Sequence, residues 1–215
     1  IQNFNQNSGD SIKVQNLSFR YFNSDINIFE EINFELKKNT HTVITGENGS
    51  GKSTLLGLLA GVFYSNDGTV ESFTDNYAYI GATPLIFNAS LHENVMYGND
   101  NEIDEETILE YLRFFNTFKE DSEYNLQKTI SNKTLSSGQM QKIAFIRALM
   151  ANTEVLLLDE ATANLDDASK NLIFKTLKEK KVTIINSTHD PESFLDVDNT
   201  LNIVIDNEKR SIVLS

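Results

Sequence analysis

The spacing of apolar residues predicts two strands near the amino end of the chain. Apolar side chains at positions 12, 14, 17 and 19 form an interrupted alternation, which is typical of a half-buried strand and favours an exposed sheet edge. A second alternation covers positions 32–36 and ends at the turn 37–39, where Asn39 can adopt a left-handed backbone at modest cost. Together the two patterns predict an antiparallel β portion.

Two continuous apolar runs in the second half of the chain predict buried parallel strands. Residues 155–158 end in Asp159 and Glu160, and residues 182–185 lead to His189. Strands without alternation are covered on both faces, as in a parallel sheet between helices. Because such sheets bind ligands at the carboxyl ends of their strands, the polar residues after both runs are candidates for a functional site.

Helical spacing follows a β-branched run and a glycine-rich loop. Residues 42–45 form the run, and the pattern becomes helical over residues 52–59. A further helix is predicted after Asp104, because acidic residues stabilise the positive end of a helix. We expect an α/β fold in which a mixed sheet core carries the antiparallel β portion and a helical insert at about residues 91–140.

Composition limits the class of protein. The 215 residues suffice for one large domain or two small ones, and the net charge of −13 disfavours duplex nucleic acid or a bare anionic membrane as a partner. The chain has no cysteine, which excludes disulfides and thiolate metal sites. No apolar run approaches the roughly 18 residues of a membrane helix, and the polar residues 1–10 predict a linker.

A complete phosphate-binding motif lies between the predicted strand and helix. It matches G-x-x-x-x-G-K-[ST] with Gly46, Glu47, Asn48, Gly49, Ser50, Gly51, Lys52 and Ser53. Glycines let successive N–H groups point inward around an anion, and the next helix directs its positive end at it. Lys52 is expected to neutralise terminal phosphate oxygens, Ser53 to offer its hydroxyl to Mg²⁺, and Thr54 to make the next nucleotide contact.

Asp159 and Glu160 supply two carboxylates with different tasks. Asp159 can hold a water bound to Mg²⁺, so it joins Ser53 as a predicted metal ligand, and Glu160 can polarise the attacking water. These features are shared by kinases, GTPases and motor ATPases. A further motif is needed to discriminate between those classes.

The discriminating motif is a short serine- and glycine-rich segment before a helical stretch. Leu135, Ser136, Ser137, Gly138 and Gln139 precede helical spacing over residues 140–150. Here the sequence resembles the ATP-binding cassette family, whose signature L-S-G-G-Q leads into a helix. The order of motifs along residues 11–215 also resembles that of the family, including residues 163–166 in the place of its D-loop.

The resemblance implies a P-loop ATPase fold and an active site shared between two chains. In such cassettes two copies pair head to tail around ATP and Mg²⁺. Ser136, Ser137, Gly138 and Gln139 would contact the γ-phosphate held by the Lys52 of a partner. Tyr21 is similar to the family's adenine-stacking aromatic residue, and His189 resembles its switch histidine, which positions the attacking water. Taken alone, Ser136 or Ser137 could simply cap a helix.

Two departures from the family pattern bear on the expected activity. Ala82 stands where similar cassettes carry a glutamine that reaches Mg²⁺ and the attacking water, and Ser137 stands where the second signature glycine is usual. Ala82 offers no side-chain donor or acceptor. It therefore puts the rate of hydrolysis in question more than binding.

The segment around residues 84–98 resembles exporter cassettes near their contact with membrane helices. The resemblance implies an ATPase that powers export from the cytoplasmic face of a membrane, with residues 1–10 as a linker from an upstream membrane domain and residues 11–215 as the ATPase domain. It also implies a second cassette, identical or not, as partner. The alternatives are a soluble cassette that acts on nucleic acid or the ribosome, and an ATP-gated clamp that hardly hydrolyses.

Overall fold

The computed structural model describes residues 4–6, 8–118, 124–206 and 209–215. The expected fold class is confirmed, because mixed parallel and antiparallel sheets are combined with helices. The strands are β1 (Phe4–Gln6), β2 (Ser11–Phe19), β3 (Phe29–Lys37), β4 (His41–Gly46), β5 (Asp67–Ser72), β6 (Tyr77–Gly81), β7 (Ala89–Ser90), β8 (Thr129–Ile130), β9 (Val155–Asp159), β10 (Thr183–Ser187), β11 (Asn199–Asp206) and β12 (Lys209–Leu214).

The helices are α1 (Lys52–Leu59), α2 (Leu91–Met96), α3 (Glu105–Phe114), α4 (Ser137–Met150) and α5 (Asp167–Glu179), with a 3-10 turn at Pro191–Ser193. Two predicted helix starts are confirmed. Helix α1 begins directly after the glycine loop, and the side chain of Asp104 caps α3 by accepting from the Thr107 N–H. In the described part of the chain, none of the helices has the length and apolar character needed to cross a membrane.

The chain divides into two compact units. The first consists of Ile1–Tyr79, Glu154–Glu160 and Lys181–Ser215, and the second of Ile80–Thr153 and Ala161–Lys180. The second unit extends beyond the predicted insert of about 91–140, since α4 runs to Met150 and α5 also belongs to it. The assignment of residues 1–10 to a linker and of 11–215 to one ATPase domain remains a prediction, and Phe4–Gln6 forms a strand parallel to β5.

A four-stranded sheet in the first unit has the order β1-β5-β2-β3. The edge position predicted for β2 is wrong, because β2 pairs antiparallel with β3 on one side and with β5 on the other. The interruption of its apolar alternation comes from bulges and not from a position at the edge of the sheet. Asn16 adopts φ 48° within a register shift against each neighbouring strand, and a Cβ on Gly68 would lie 2.3 Å from the Asn16 carbonyl oxygen.

A six-stranded sheet has the order β12-β11-β4-β10-β9-β6 and carries the predicted site. Strands β4, β10 and β9 run parallel, as the continuous apolar runs predict. Their register places Ser187 of β10 opposite both Ile44 of β4 and Asp159 of β9. The carboxyl ends of β9 and β10 are therefore level, and β4 runs two residues further in the same direction, to Gly46.

Helix α1 covers one face of this sheet through leucine side chains. Leu55, Leu56 and Leu59 are fully buried in one cluster with Leu157 and Ile185 of the central strands. Burying a side chain of this size contributes about 1.5–3 kcal/mol relative to exposure. This packing fixes the amino end of α1 at the edge where the parallel strands end.

Two helices of the second unit begin with matching capping boxes. In α2, Ser90 and Glu93 exchange side-chain and backbone hydrogen bonds, and in α4, Ser136 and Gln139 do the same. Each box satisfies N–H groups that a helix start leaves without partners inside the helix. Further along α4, Arg147 donates from Nε to the Asn94 carbonyl oxygen at 2.8 Å, which ties α4 to α2.

A buried histidine lies at the amino end of β4. His41 is 7% exposed, its Nδ1 is 3.0 Å from the Asp196 carbonyl oxygen, and its ring contacts Phe194 edge-on. Burial lowers the pKa of His41 below its usual value of 6.5, and the Asp196 carbonyl and the Asp198 charge oppose the shift in part. The unfolded chain therefore binds a proton at a higher pH than the folded chain.

We expect the free energy of unfolding to fall as the pH falls through about 6.5, because protons then favour the unfolded state. The variant His41→Phe should show a smaller loss between about pH 7 and about pH 5 than the unmodified protein. Urea unfolding of both proteins across this range measures the difference. Equal pH slopes would contradict the assignment to His41.

Candidate functional site

The predicted phosphate-binding loop connects β4 to α1 with backbone angles that require glycine. Gly46 has φ 145° and Gly51 has φ 105°. A Cβ at Gly46 would lie 2.7 Å from both the Ile203 carbonyl oxygen and the Ser50 Oγ, and one at Gly51 would lie 3.0 Å from the Phe29 ring. The loop is therefore enclosed where it leaves the strand and where it enters the helix. Between these points Glu47, Asn48 and Gly49 are exposed.

Lys52 lies under this loop. Lys52 is 6% exposed, and its Nζ donates to the carbonyl oxygens of Gly46 at 2.9 Å and Glu47 at 3.1 Å. A lysine ammonium has three N–H donors, so one remains beyond these two contacts. Because the two carbonyl oxygens keep the Lys52 ammonium at the loop rather than in solvent, its positive charge can assist the loop amides in binding an anion.

Tyr21 is joined to the helix that follows the loop. Its hydroxyl is 2.7 Å from Thr54 Oγ1, and its ring packs edge-on against Phe19 and Phe63. The residue remains 42% exposed. It borders an open pocket of about 740 Å³ whose lining includes Phe22, Val62 and further residues of segments 19–25 and 62–66. An exposed aromatic face fixed at this place fits the stacking role predicted for Tyr21.

The structure brings the two predicted catalytic residues together. His189 Nε2 and Glu160 Oε1 are 2.8 Å apart, and because an ionised carboxylate only accepts, Nε2 is the donor. Glu160 has φ 54°, and its N–H donates to the Ser187 carbonyl oxygen at 3.0 Å. A glutamate in the left-handed region is strained, and such strain concentrates at functional sites.

Asp159, the residue before Glu160, ends β9 and also has a side-chain partner. The Tyr79 hydroxyl donates to Asp159 Oδ2 at 2.8 Å. Burial raises the pKa of Tyr79 above its usual value of 10 and is the largest cause. The hydrogen bond to Asp159 and the charge of Asp159 raise this pKa further. The phenol is therefore protonated at neutral pH and remains a donor.

The oxygen donors at this edge fit Mg²⁺. Ser53 is exposed at the start of α1, and Asp159 is partly exposed at the end of β9. Mg²⁺ is usually bound through one or two protein oxygens together with phosphate oxygens and water, rather than by a closed protein cage. One hydroxyl and one carboxylate beside a phosphate-binding loop match that pattern.

The signature segment belongs to the second unit. Ser136 and Ser137 are exposed, and Ser136 caps α4 by accepting from the Gln139 N–H at 3.2 Å while Gln139 Oε1 accepts from the Ser136 N–H at 2.8 Å. The capping role considered from the sequence is therefore present. It leaves the Ser136 hydroxyl proton available, because the cap uses Oγ only as an acceptor. A Cβ at Gly138 would lie 2.9 Å from the Asn164 carbonyl oxygen.

An open pocket of about 680 Å³ surrounds this segment. Its lining comprises Asn116, Thr117, Phe118, Ser136, Ser137, Gly138, Gln139, Lys142, Asn164 and Asp166. The buried Lys142 donates from Nζ to the Asn116 carbonyl oxygen at 3.0 Å. The Ser169 N–H and hydroxyl hold the pKa of Asp166 below its usual value, with a smaller effect of Lys142. The pocket thus combines a capped helix start with a buried ammonium group.

Three residues that the sequence did not single out join these groups. Tyr79 contacts Asp159, Lys142 lines the signature pocket, and Arg210 donates from Nη2 to the Gly49 carbonyl oxygen at 3.3 Å. Lys142 could have been noticed, because it lies one helical turn beyond the signature. Tyr79 and Arg210 contact residues that are 80 and 161 positions away in the chain, so the local sequence does not indicate these contacts.

Comparison with known proteins identifies the family. The family model described as ABC transporter matches residues 29–163, which is more than half of the chain. The chain belongs to the ABC transporter family. Domains of this family bind ATP, generally with Mg²⁺. The resemblance to an exporter-like nucleotide-binding domain, expected from the motifs, is confirmed.

Relatives of this ABC transporter domain come from plants, fungi and animals. The ABC transporter B family member 13 of Arabidopsis thaliana is 31% identical over 80% of the chain, and the human ATP-binding cassette sub-family B member 5 is 30% identical over 78%. The chain spans 15% of the length of each. The ATP-dependent permease MDL1 of Candida albicans is 28% identical over 96% of the chain, which spans 33% of that protein.

A solved structure shows the same fold. A bacterial Atm1-family ABC exporter with ATP bound matches 94% of this chain with a TM-score of 0.80 and 23% identity, and the match covers 38% of that exporter chain. The roles of the individual site residues rest on the motifs and geometry described above.

Two glycines of the loop provide a matched pair for testing its geometry. We expect Gly49→Ala to cost about 1–2 kcal/mol, because φ is 78° but a Cβ would meet no atom within 4 Å. Gly46→Ala should cost more, because its φ of 145° is essentially restricted to glycine and a Cβ would meet the Ile203 carbonyl. Urea unfolding measures both free energies. Equal costs would show that the close contact at Gly46 does not constrain the loop.

Proposed function

We propose that this chain is an ATP-hydrolysing cassette that pairs with a second cassette around ATP and powers export across a membrane. The observation that carries the proposal is the hydrogen bond between His189 and Glu160, at the same sheet edge as the glycine loop and Lys52. A binding loop alone would support only a nucleotide clamp. A carboxylate aligned with an imidazole beside it supplies the groups that hydrolysis needs.

Binding is assigned to the loop, to Lys52 and to Tyr21. Backbone N–H groups of the loop and of the start of α1 would donate to phosphate oxygens, and Lys52 would supply positive charge at the loop. Tyr21 presents its ring to the adenine base, and its bond to Thr54 links the base contact to the phosphate contact. Ser53 and Asp159 supply the oxygens for Mg²⁺, which neutralises phosphate charge when it is bound.

Hydrolysis is assigned to Glu160 and His189. Glu160 accepts a hydrogen bond from the attacking water and directs its oxygen toward the γ-phosphate. His189 donates to Oε1 of Glu160 and so fixes which carboxylate oxygen faces the water. The Ser187 carbonyl holds the Glu160 backbone in place, so the carboxylate is oriented before the substrate arrives.

The signature segment is assigned to the ATP of a partner cassette. Ser136 and Ser137 are exposed beside an open pocket, whose lining includes the start of α4. Such a helix start favours an anion. The buried Lys142 ammonium adds positive charge to the same pocket wall.

Export is supported by the relatives rather than by the chain itself. The named relatives are B family ABC transporters and a permease, and the structural neighbour is an exporter. On this proposal the chain works at the cytoplasmic face of a membrane, joined to a membrane domain that precedes it. These relatives give no support to a soluble cassette that acts on nucleic acid.

The variant Glu160→Gln tests hydrolysis. Loss of the carboxylate charge should reduce phosphate release with Mg-ATP by about 10²–10⁴-fold while ATP binding persists, because the amide cannot act as a base. Glu192→Gln, which changes an exposed carboxylate three residues after His189, is the matched control and should keep full turnover. If the unmodified chain binds ATP but releases no phosphate, the chain is a clamp. Unchanged turnover in Glu160→Gln would remove this residue from the mechanism.

The shared site is tested by removing one capping serine from each of two helices. Ser136→Ala and Ser90→Ala each remove a capping box, and each should cost about 1 kcal/mol of stability. Only Ser136→Ala should weaken ATP-dependent pairing, because Ser90 lies outside the signature. Sedimentation with ATP in a Glu160→Gln background measures pairing. Equal effects of the two substitutions would mean that Ser136 acts only as a cap.

A further inference from the structure

The proposed metal carboxylate has a hydrogen-bond donor on another strand. Tyr79 belongs to β6, which neighbours β9 in the six-stranded sheet, and its hydroxyl is 2.8 Å from Asp159 Oδ2. Asp159 is the last residue of β9, and its register partner is Ser187. The phenol thus reaches the carboxylate at the edge where the phosphate-binding loop begins.

The contact restricts the orientation of the Asp159 carboxylate. A free aspartate can rotate about its terminal bond, and either oxygen can face a cation. The Tyr79 hydroxyl occupies a lone pair of Oδ2, so the two carboxylate oxygens are no longer equivalent and Oδ1 does not take part in this contact. A phenol is neutral, so it orients the carboxylate without neutralising the charge that a divalent cation requires.

The exposure of Tyr79 argues against a purely structural role. The residue is 47% exposed, whereas Tyr77 on the same strand is partly buried against the apolar core and donates to Ser72 Oγ at 2.7 Å. Tyr79 therefore contributes less burial than Tyr77, and its polar group faces the functional edge. Of residues 79–82, Tyr79 alone has a polar side chain.

We propose that Tyr79 is a positioning residue for Mg²⁺, which acts by orienting the Asp159 carboxylate toward the cation bound with the nucleotide. The inference rests on the proposed function, because it takes Asp159 as the metal ligand of that site. Partners that orient metal ligands in this way typically change metal affinity by about 10–100-fold when they are removed. Tyr79 makes no contact with the nucleotide on this proposal, so metal-free binding does not depend on it.

The experiment measures how strongly Mg²⁺ and ADP bind together. The dissociation constant of ADP is determined by calorimetry for the intact chain in EDTA and in excess Mg²⁺. The readout is the constant in EDTA divided by the constant in Mg²⁺. Tyr79→Phe removes only the hydroxyl and should reduce this ratio about tenfold, with the EDTA value unchanged. Tyr77→Phe is the matched control, because it removes a hydroxyl from the same strand and should leave the ratio unchanged.

A double-mutant cycle tests whether the effect passes through Asp159. In an Asp159→Asn background, Tyr79→Phe should have no further effect on the ratio, because the carboxylate that the phenol orients is gone. Additive effects of the two substitutions would overturn the proposal.

The remaining outcomes separate this inference from the function on which it depends. A ratio that is the same in Tyr79→Phe and in the unmodified chain overturns the positioning role and leaves the ATPase proposal standing. A loss of ADP binding in EDTA in Tyr79→Phe also overturns it, because the effect would then be on the nucleotide site as a whole. If the unmodified chain binds no ADP under either condition, the proposed function itself fails.

Discussion

The site depends on the parallel register of three strands. Since Ser187 lies opposite both Ile44 and Asp159, β9 and β10 end level with each other, and β4 ends two residues further along, at Gly46. The phosphate-binding loop, the segment before His189 and the Asp159–Glu160 pair therefore all leave the sheet at the same edge. A shift by one residue in any of these strands would turn its side chains to the opposite face and separate the groups. The buried leucines of α1 on one face of the sheet make such a shift costly.

Local donors overcome the negative charge of the whole chain. The net charge is −13, and Glu47, Asp159 and Glu160 lie in or near the proposed site. An isolated triphosphate would meet repulsion from these carboxylates. This repulsion is opposed by the backbone N–H groups of the loop, by the positive end of α1 and by Lys52, whose ammonium donates to two carbonyl oxygens. A divalent cation offsets the remaining charge. On the proposed function, Asp159 would then be a ligand of that cation instead of a source of repulsion.

The features that could be predicted from the sequence are those that depend on neighbouring residues. The glycine loop, the start of α1 at Lys52 and the cap at Asp104 follow from local backbone chemistry, and the structure has all three. The placement of β2 at an edge is wrong, because the bulge at Asn16 gives the irregular pattern of an exposed strand and the pairing with β5 joins residues 49 to 58 positions apart. Tyr79 and Arg210 escaped notice for the same reason, since their partners are distant in the chain.

The left-handed backbone of Glu160 sets stability against activity at one position. With φ at 54°, this residue occupies a conformation that glycine adopts without cost and glutamate does not. Random mutagenesis selected only for resistance to unfolding would therefore enrich glycine at residue 160, at the expense of the carboxylate. Selection for turnover would act in the opposite direction and retain the strained side chain. If one copy of this domain in a pair no longer hydrolysed ATP, residue 160 would be the first position at which it lost the strained glutamate.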